Sequence, residues 1–242
     1  MIDANIAADI SVIPLAPTTG ATILMQSESD LATDRLVLRD NVGGYVLRIL
    51  GNRQAEVNRT LIVNNQVTQD LIWHQHDSLG LNEVMSIDNS TIANNQIGGW
   101  VIRDDLALDM FRTIIDQPDA DTLLFTGNAA NLNVSYVLAD DTIGFPADVT
   151  NHVGRPTFID AADGDYRLRY SRQGGAVTAS LGLDFAPAID GDDRDIRSLK
   201  YDQDLTTRPD VFGMRDLGVY EMQPYSDRIY TDGFGDAVML AY

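Results

Sequence analysis

Apolar residues in this chain come in runs of three or four, cut at intervals by Asn, Asp and Gly. Four stretches repeat one pattern: 36–47 (LVLRDNVGGYVL), 61–72 (LIVNNQVTQDLI), 91–102 (TIANNQIGGWVI) and 113–124 (TIIDQPDADTLL). Their starts step by 25, 30 and 22 residues (36 to 61 to 91 to 113), and a fifth, 136–141 (YVLADD), follows 23 later. A recurrence of this length marks stacked units that cannot bury their apolar faces singly. One column reads Val37, Ile62, Ile92, Ile114, Val137, all β-branched, which suits strands stacked in a dry interior. A second reads Val42, Val67, Ile97, and a third Val46, Leu71, Val101, Leu123.

The turn between the two apolar runs holds Asn64-Asn65 and Asn94-Asn95, with Arg39-Asp40 and Asp116-Gln117 at the matching places. Asn tolerates left-handed backbone angles and can bond to its own image one rung away. Gly43-Gly44 and Gly98-Gly99 mark a second bend. Runs this short are not helices. An antiparallel sandwich would not repeat equivalent residues at rung spacing. The pattern therefore predicts an all-β, right-handed parallel β-helix (solenoid) of about five or six rungs over residues 1–143. Residues 144–242 lose the columns and form an irregular C-terminal segment, expected to cap an open end or pack along one side.

Charge narrows the partners. The formal net charge is −19 and there are no cysteines. An acidic surface disfavours nucleic acid and anionic membrane surfaces. No apolar run is long enough for a spanning helix, so membrane insertion is not expected. Disulfides, thiolate metal sites and cysteine nucleophiles are excluded.

Several groups carry candidate chemistry. Tyr45, Asp70 and Trp100 share one column, and aromatics beside a carboxylate are a sugar-binding combination. Arg48 and Arg103 occupy equivalent positions. With Asp105 they form the alternative, catalytic set for a polysaccharide lyase or glycoside hydrolase. Adjacent aspartates such as Asp104-Asp105 point to opposite faces of a strand, so each pair supplies one groove carboxylate. Asp190, Asp192, Asp193 and Asp195 form a dense oxygen-donor loop that suits Ca2+, and Asp160, Asp163 and Asp165 a sparser one. Side-chain capping of their own turns accounts for the same residues. His74 and His76 would share a strand face as a chelating pair.

The C-terminal third carries a resemblance. Residues 155–168 (RPTFIDAADGDYRL) resemble the "DPLFVDAANGDYRL" stretch of bacterial secreted right-handed parallel β-helix repeat proteins of the choice-of-anchor type. Residues 186–190 (APAID) resemble their "SPAID", 207–209 (TRP) stand where "GNPR" does, and 216–221 (DLGVYE) are similar to "DIGAYE". Residues 227–235 (DRIYTDGFG) resemble a short "DRIFADGFE" tail of some proteobacterial secreted proteins, with Gly235 in place of Glu. The resemblance implies a secreted or cell-surface protein, of which this is the C-terminal part, with a capping helix and early coils before residue 1. It does not imply one reaction, since relatives include adhesins and carbohydrate-active enzymes. The expected function is an extracellular, non-catalytic structural or adhesive module contacting extracellular polysaccharide or a cell-surface glycan. The enzymatic alternative stays open.

Overall fold

The computed structural model describes residues 2–4, 9–10, 20–26, 30–50, 54–75, 84–105, 107–118, 124–126, 131–140, 145, 150–173, 176–183, 185–187 and 214–220. The described residues are all-β, with a 3-10 turn at Ala161–Asp163 and no α-helix. Four sheets are parallel throughout. Sheet A runs Ile2–Ala4, Leu31–Asp34, Ala55–Asn58, Met85–Asp88, Leu108–Phe111, Leu132–Ser135. Sheet B runs Asp9–Ile10, Val37–Arg39, Leu61–Val63, Thr91–Ala93, Ile114–Asp116, Leu138–Ala139, His152–Val153. Sheet C runs Ala21–Gln26, Tyr45–Leu50, Ile72–Gln75, Ile102–Asp104, Leu124–Thr126. Sheet D is the short row Val42–Gly43, Gln66–Val67, Gln96–Ile97. Each strand pairs with its equivalent one repeat away, which is the arrangement a stacked parallel solenoid demands.

The register refines the columns. Ile62 pairs with Ile92, but the next member is Ile115, and the previous is Leu38. Val37 and Ile114 belong one place earlier, beside Leu61 and Thr91. Val137 lies one residue before the strand in which Leu138 pairs with Ile114. In the second column Val67 pairs with Ile97 as expected, while Val42 faces out and Gly43 takes its place. Matching by β-branched type misplaces Val37, Val42 and Ile114 by one residue, and Val137 by two, since Ala139 is the residue level with Ile115. In a strand a one-residue shift moves a side chain to the opposite face. In the third column, the pairing of Leu47, Ile72 and Ile102 sets Val46, Leu71 and Val101 level, and Leu123 lies outside the described residues.

Alternate residues of sheets A, B and C converge on one core. Leu38, Ile62, Ile92 and Ile115 come from sheet B, Val57, Ile87 and Met110 from sheet A, and Leu47, Ile72 and Ile102 from sheet C. The outward residues of sheet B are apolar too: Leu61, Val63, Ala93, Ile114 and Leu138. The segment after the rungs covers them. Phe158, Tyr166, Leu168, Ala186, Leu217 and Val219 pack on this face. Gly218 N–H donates to Arg112 O at 2.8 Å and Val219 N–H to Thr91 Oγ1 at 3.2 Å. The C-terminal segment thus lies along one side. It contributes antiparallel pairs, Phe158–Asp160 with Asp165–Leu168 and Ala186–Pro187 with Met214–Arg215. Phe158–Asp160, Asp165–Leu168 and Ala186–Pro187 lie within the stretches 155–168 and 186–190. The parallel register itself runs past residue 143 to His152–Val153.

The turn of each rung is held by a buried amide ladder. Asn41 Nδ2 donates to Asn65 Oδ1 at 2.8 Å, and Asn65 Nδ2 donates to Asn95 Oδ1 at 2.8 Å. The ladder continues through Asn95 N–H to Gln117 Oε1 at 2.9 Å and Gln117 N–H to Asp140 Oδ1 at 3.2 Å. The first rung uses Asp40-Asn41, one residue later than Arg39-Asp40. Asp40, Asn64 and Asn94 take positive φ of 57°, 56° and 55°. A second corner does the same with bulkier residues: Arg35, Arg59, Asn89, Arg112 and Tyr136 all have positive φ. A non-glycine residue pays about 1–2 kcal/mol there. Arg59 and Arg112 are nearly buried and reach back one rung, to Asp34 and Asp88. Breaking one partner of such a pair costs more than the pair stabilises.

Replacing Asn65 with Ala removes the acceptor of Asn41 and the donor to Asn95 and to Leu38 O. We expect Asn65→Ala to destabilise by about 3 kcal/mol in urea unfolding, since orphaned buried polar groups cost about 1–3 kcal/mol each. A loss below about 1 kcal/mol would contradict the ladder's role. At the last rung, burial, with help from nearby Asp116, pushes the Asp140 carboxyl above its ordinary range. A carboxyl raised in the folded state favours folding at acid pH and opposes it once ionised. Asp140→Asn keeps the acceptor for Gln117 and is expected to raise Tm at pH 7. Its advantage should shrink as pH falls through the carboxylate range. Thermal melts at pH 7 and pH 3 check this, and an equal difference at both would refute it.

Candidate functional site

Inward and outward residues alternate along sheet C. Leu47, Ile49, Ile72, His74, Ile102 and Asp104 point into the core, and Arg48, Trp73 and Arg103 point out on three successive rungs. The Arg48 guanidinium carbon lies 4.6 Å from the Trp73 ring centroid, and that of Arg103 lies 4.8 Å from it. Arg48 also sits 5.0 Å from the Tyr45 ring, and the Tyr45 and Trp73 centroids are 5.5 Å apart. Each cation over an aromatic face contributes about 0.5–1 kcal/mol at a partly exposed site. Two arginines and two aromatics therefore form one stacked row.

Carboxylates flank one end of this row. Arg103 lies 3.7 Å from Asp70 Oδ2 and 3.5 Å from Asp105 Oδ1. Asp70 is itself held, because its Oδ1 accepts Trp100 N–H at 2.8 Å. Arg48 is different. Its Nη2 donates to the amide oxygen of Gln75 at 3.3 Å, and no carboxylate pairs with it among the described residues.

The structure brings together all six residues singled out on this part of the chain: Tyr45, Arg48, Asp70, Trp100, Arg103 and Asp105. Tyr45, Asp70 and Trp100 do share a column, set by the pairing of Leu47, Ile72 and Ile102. Tyr45 and Asp70 are buried, however, at 8% and 6% exposure, and Trp100 is only partly exposed. The aromatic at the centre of the face is Trp73, which the sequence reading passed over. The repeat already puts it level with Arg48 and Arg103, so the signal was there. Asp104 and Asp105 split between core and surface as strand alternation requires.

The remaining candidates separate from this face. His74 is fully buried, with Nδ1 2.9 Å from Asp104 Oδ2, and His76 lies outside the described residues. The Ca2+ expectation at Asp190, Asp192, Asp193 and Asp195 also falls outside the described residues. Among the described residues no group of three or more His, Cys, Asp or Glu is placed to hold a metal ion. In the sparser cluster, Asp160 caps the 3-10 turn through Asp163 N–H, and Asp165 is paired with Arg167. The Arg167 hydrogen bond holds the Asp165 carboxyl below its ordinary range. A polar cleft of about 460 Å³ lies where Asp40 and Asn64 face Asp163, Gly164 and Tyr220. Beside it Tyr166 OH donates to Asn64 Oδ1 at 3.0 Å and accepts from Asn94 Nδ2 at 3.2 Å.

Comparison with protein-family models, curated proteins and solved structures finds no match to this chain.

The glycine pair beside the face is needed for space. A Cβ at Gly98 would stand 2.3 Å from Thr68 O, and one at Gly99 2.4 Å from Asp70 Oδ1. We expect Gly98→Ala to force backbone movement and cost about 1–3 kcal/mol, read by chemical unfolding. An unchanged midpoint would show that the rungs are not this closely stacked.

Proposed function

We propose that this chain is an extracellular, right-handed parallel β-helix module with a structural or adhesive role, contacting carbohydrate through the outer face of sheet C. The single observation that carries this reading is the row of Arg48, Trp73 and Arg103, bordered by Tyr45, Asp70 and Trp100. Saccharides are held by apolar C–H faces against aromatic or aliphatic surface and by hydroxyls bonded to planar polar groups. A guanidinium fixed over a ring supplies several in-plane donors at low entropy cost. Three further points support the assignment. The strands are parallel and stacked at the repeat spacing. Residues of three of the stretches that resemble choice-of-anchor proteins (Phe158, Tyr166 and Leu168; Ala186; Leu217 and Val219) cover sheet B. The strongly acidic composition suits a secreted, highly solvated protein.

A second reading is polysaccharide cleavage. Arg103 between Asp70 and Asp105 is the observation in its favour, since a cation and carboxylates on one face are what lyase or hydrolase chemistry uses.

One experiment separates the two. The chain is printed against, and incubated with, a panel of neutral and acidic polysaccharides. Retention is scored beside release of reducing ends and of unsaturated products. We expect retention without product. Product that disappears in Arg103→Ala or Asp105→Ala would establish the enzyme, and no retention on any glycan would refute carbohydrate contact.

A further inference from the structure

We propose that Arg48 is the recognition point for the carboxylate of an acidic saccharide, so that the sheet C face selects uronate-bearing over neutral glycans. The inference rests on the carbohydrate-contact reading above and names the ligand class.

Arg48 differs from six other described arginines. Arg35, Arg59, Arg103, Arg112, Arg155 and Arg167 each hold an ion pair with an aspartate. In a chain with 36 acidic and 17 basic residues, a guanidinium without a carboxylate is unexpected. Among the described residues Arg48 meets the Gln75 amide oxygen and two aromatic faces, and its buried Nε has no hydrogen-bond partner there. Aromatic contact occupies the faces of a guanidinium. Its N–H donors lie in the plane, where they match the two oxygens of a carboxylate.

The neighbour on the preceding rung is apolar. Leu24 pairs with Arg48 in register and is 46% exposed. A lone cation one rung from an exposed aliphatic side chain fits a ligand with an anionic group and an apolar face on the same ring. A uronic acid has both. Adjacent rungs are about 4.8 Å apart, close to the reach of one sugar ring.

The net charge of −19 bears on which acidic glycan fits. It repels a dense polyanion at long range, with a screening length of about 10 Å at 0.1 M salt. A short or sparsely charged uronide meets mainly Arg48. Its affinity should therefore change little with salt, while that of a heavily sulfated polymer should stay low.

The test uses the full chain and isothermal titration with trimers of galacturonate, glucuronate and mannuronate, a neutral galactose trimer, and inorganic sulfate. Trp fluorescence provides a second readout, because Trp73 touches Arg48. We expect at least one uronate trimer to bind more than tenfold tighter than the neutral trimer. Arg48→Gln should remove that margin, and Arg48→Lys should retain part of it. Arg167→Gln, which alters a pair away from this face, should leave it unchanged. Matched melting curves show that the variants fold. Should Arg48→Gln not fold, Leu24→Asp, which sets a carboxylate beside Arg48, should abolish the margin instead. Equal binding of neutral and acidic trimers overturns the carboxylate assignment and leaves carbohydrate contact standing. Sulfate competing as well as the uronates identifies a general anion site and overturns it too. Binding of no saccharide overturns both.

Discussion

Residue-for-residue stacking of successive rungs is the constraint on which the rest depends. The buried amides make it strict. Asn65 takes hydrogen bonds from the backbone and side chain of Asn41, and its own amide donates to Asn95, Leu38 O and Val63 O. A slip of one residue would unpair these groups and send each inward apolar side chain to the surface. The ladder and the apolar columns therefore enforce the same register, one by hydrogen bonding and the other by burial. That agreement is what lets the described strands of two to six residues hold together with no α-helix among the described residues and no disulfide.

Once register is set, the outer faces follow, and they differ in kind. Sheet B turns a second set of apolar residues outward, which is unstable alone and is resolved by the C-terminal cover. Sheet A turns out Glu56, Ser86, Asp109 and Asn133, a solvated polar row. Sheet C turns out two arginines and a tryptophan. The stacking of Arg48, Trp73 and Arg103 there is a consequence of parallel pairing, which sets positions 48, 73 and 103 side by side on successive rungs. The same geometry puts His74 beside Asp104 on the inner side of that sheet.

Much of this was legible in the chain. The repeat gave parallel strands, the Asn ladder, the level positions of Tyr45, Asp70 and Trp100, and the equivalence of Arg48 and Arg103. It was less secure at single-residue resolution. Val37, Val42, Ile114 and Val137 were matched by side-chain type. Register is decided by where amides can bond, and Gln117 reaches Asn95 N–H with a longer side chain. The buried pairs Arg59–Asp34 and Arg112–Asp88 were not read at all. Arginine at a left-handed corner runs against intrinsic preference, and only the partner one rung back makes it tolerable. Burial of Tyr45 and Asp70 also escaped, because a column gives alignment along the stack and not the depth of each member.

The two functional readings differ in what they ask of arginine. Cleavage by proton abstraction needs a base that can lose its proton, and a guanidinium stays protonated in proteins. Stacking on Trp73 places the cations well for attraction and offers nothing that would neutralise them. The His74 imidazole, an ordinary general base in other settings, lies fully inside the core and cannot reach a ligand on the outer face. Asp70 is committed to Trp100 N–H. Asp105 is the one acidic member of the set left partly exposed beside Arg103, and a hydrolase would need a second carboxyl across from it. Fixed, permanently charged donors beside rigid rings are suited to holding a ligand whose bonds remain intact. The geometry therefore favours the proposed binding reading over cleavage, with Arg48 as the member of this face that no carboxylate among the described residues pairs with.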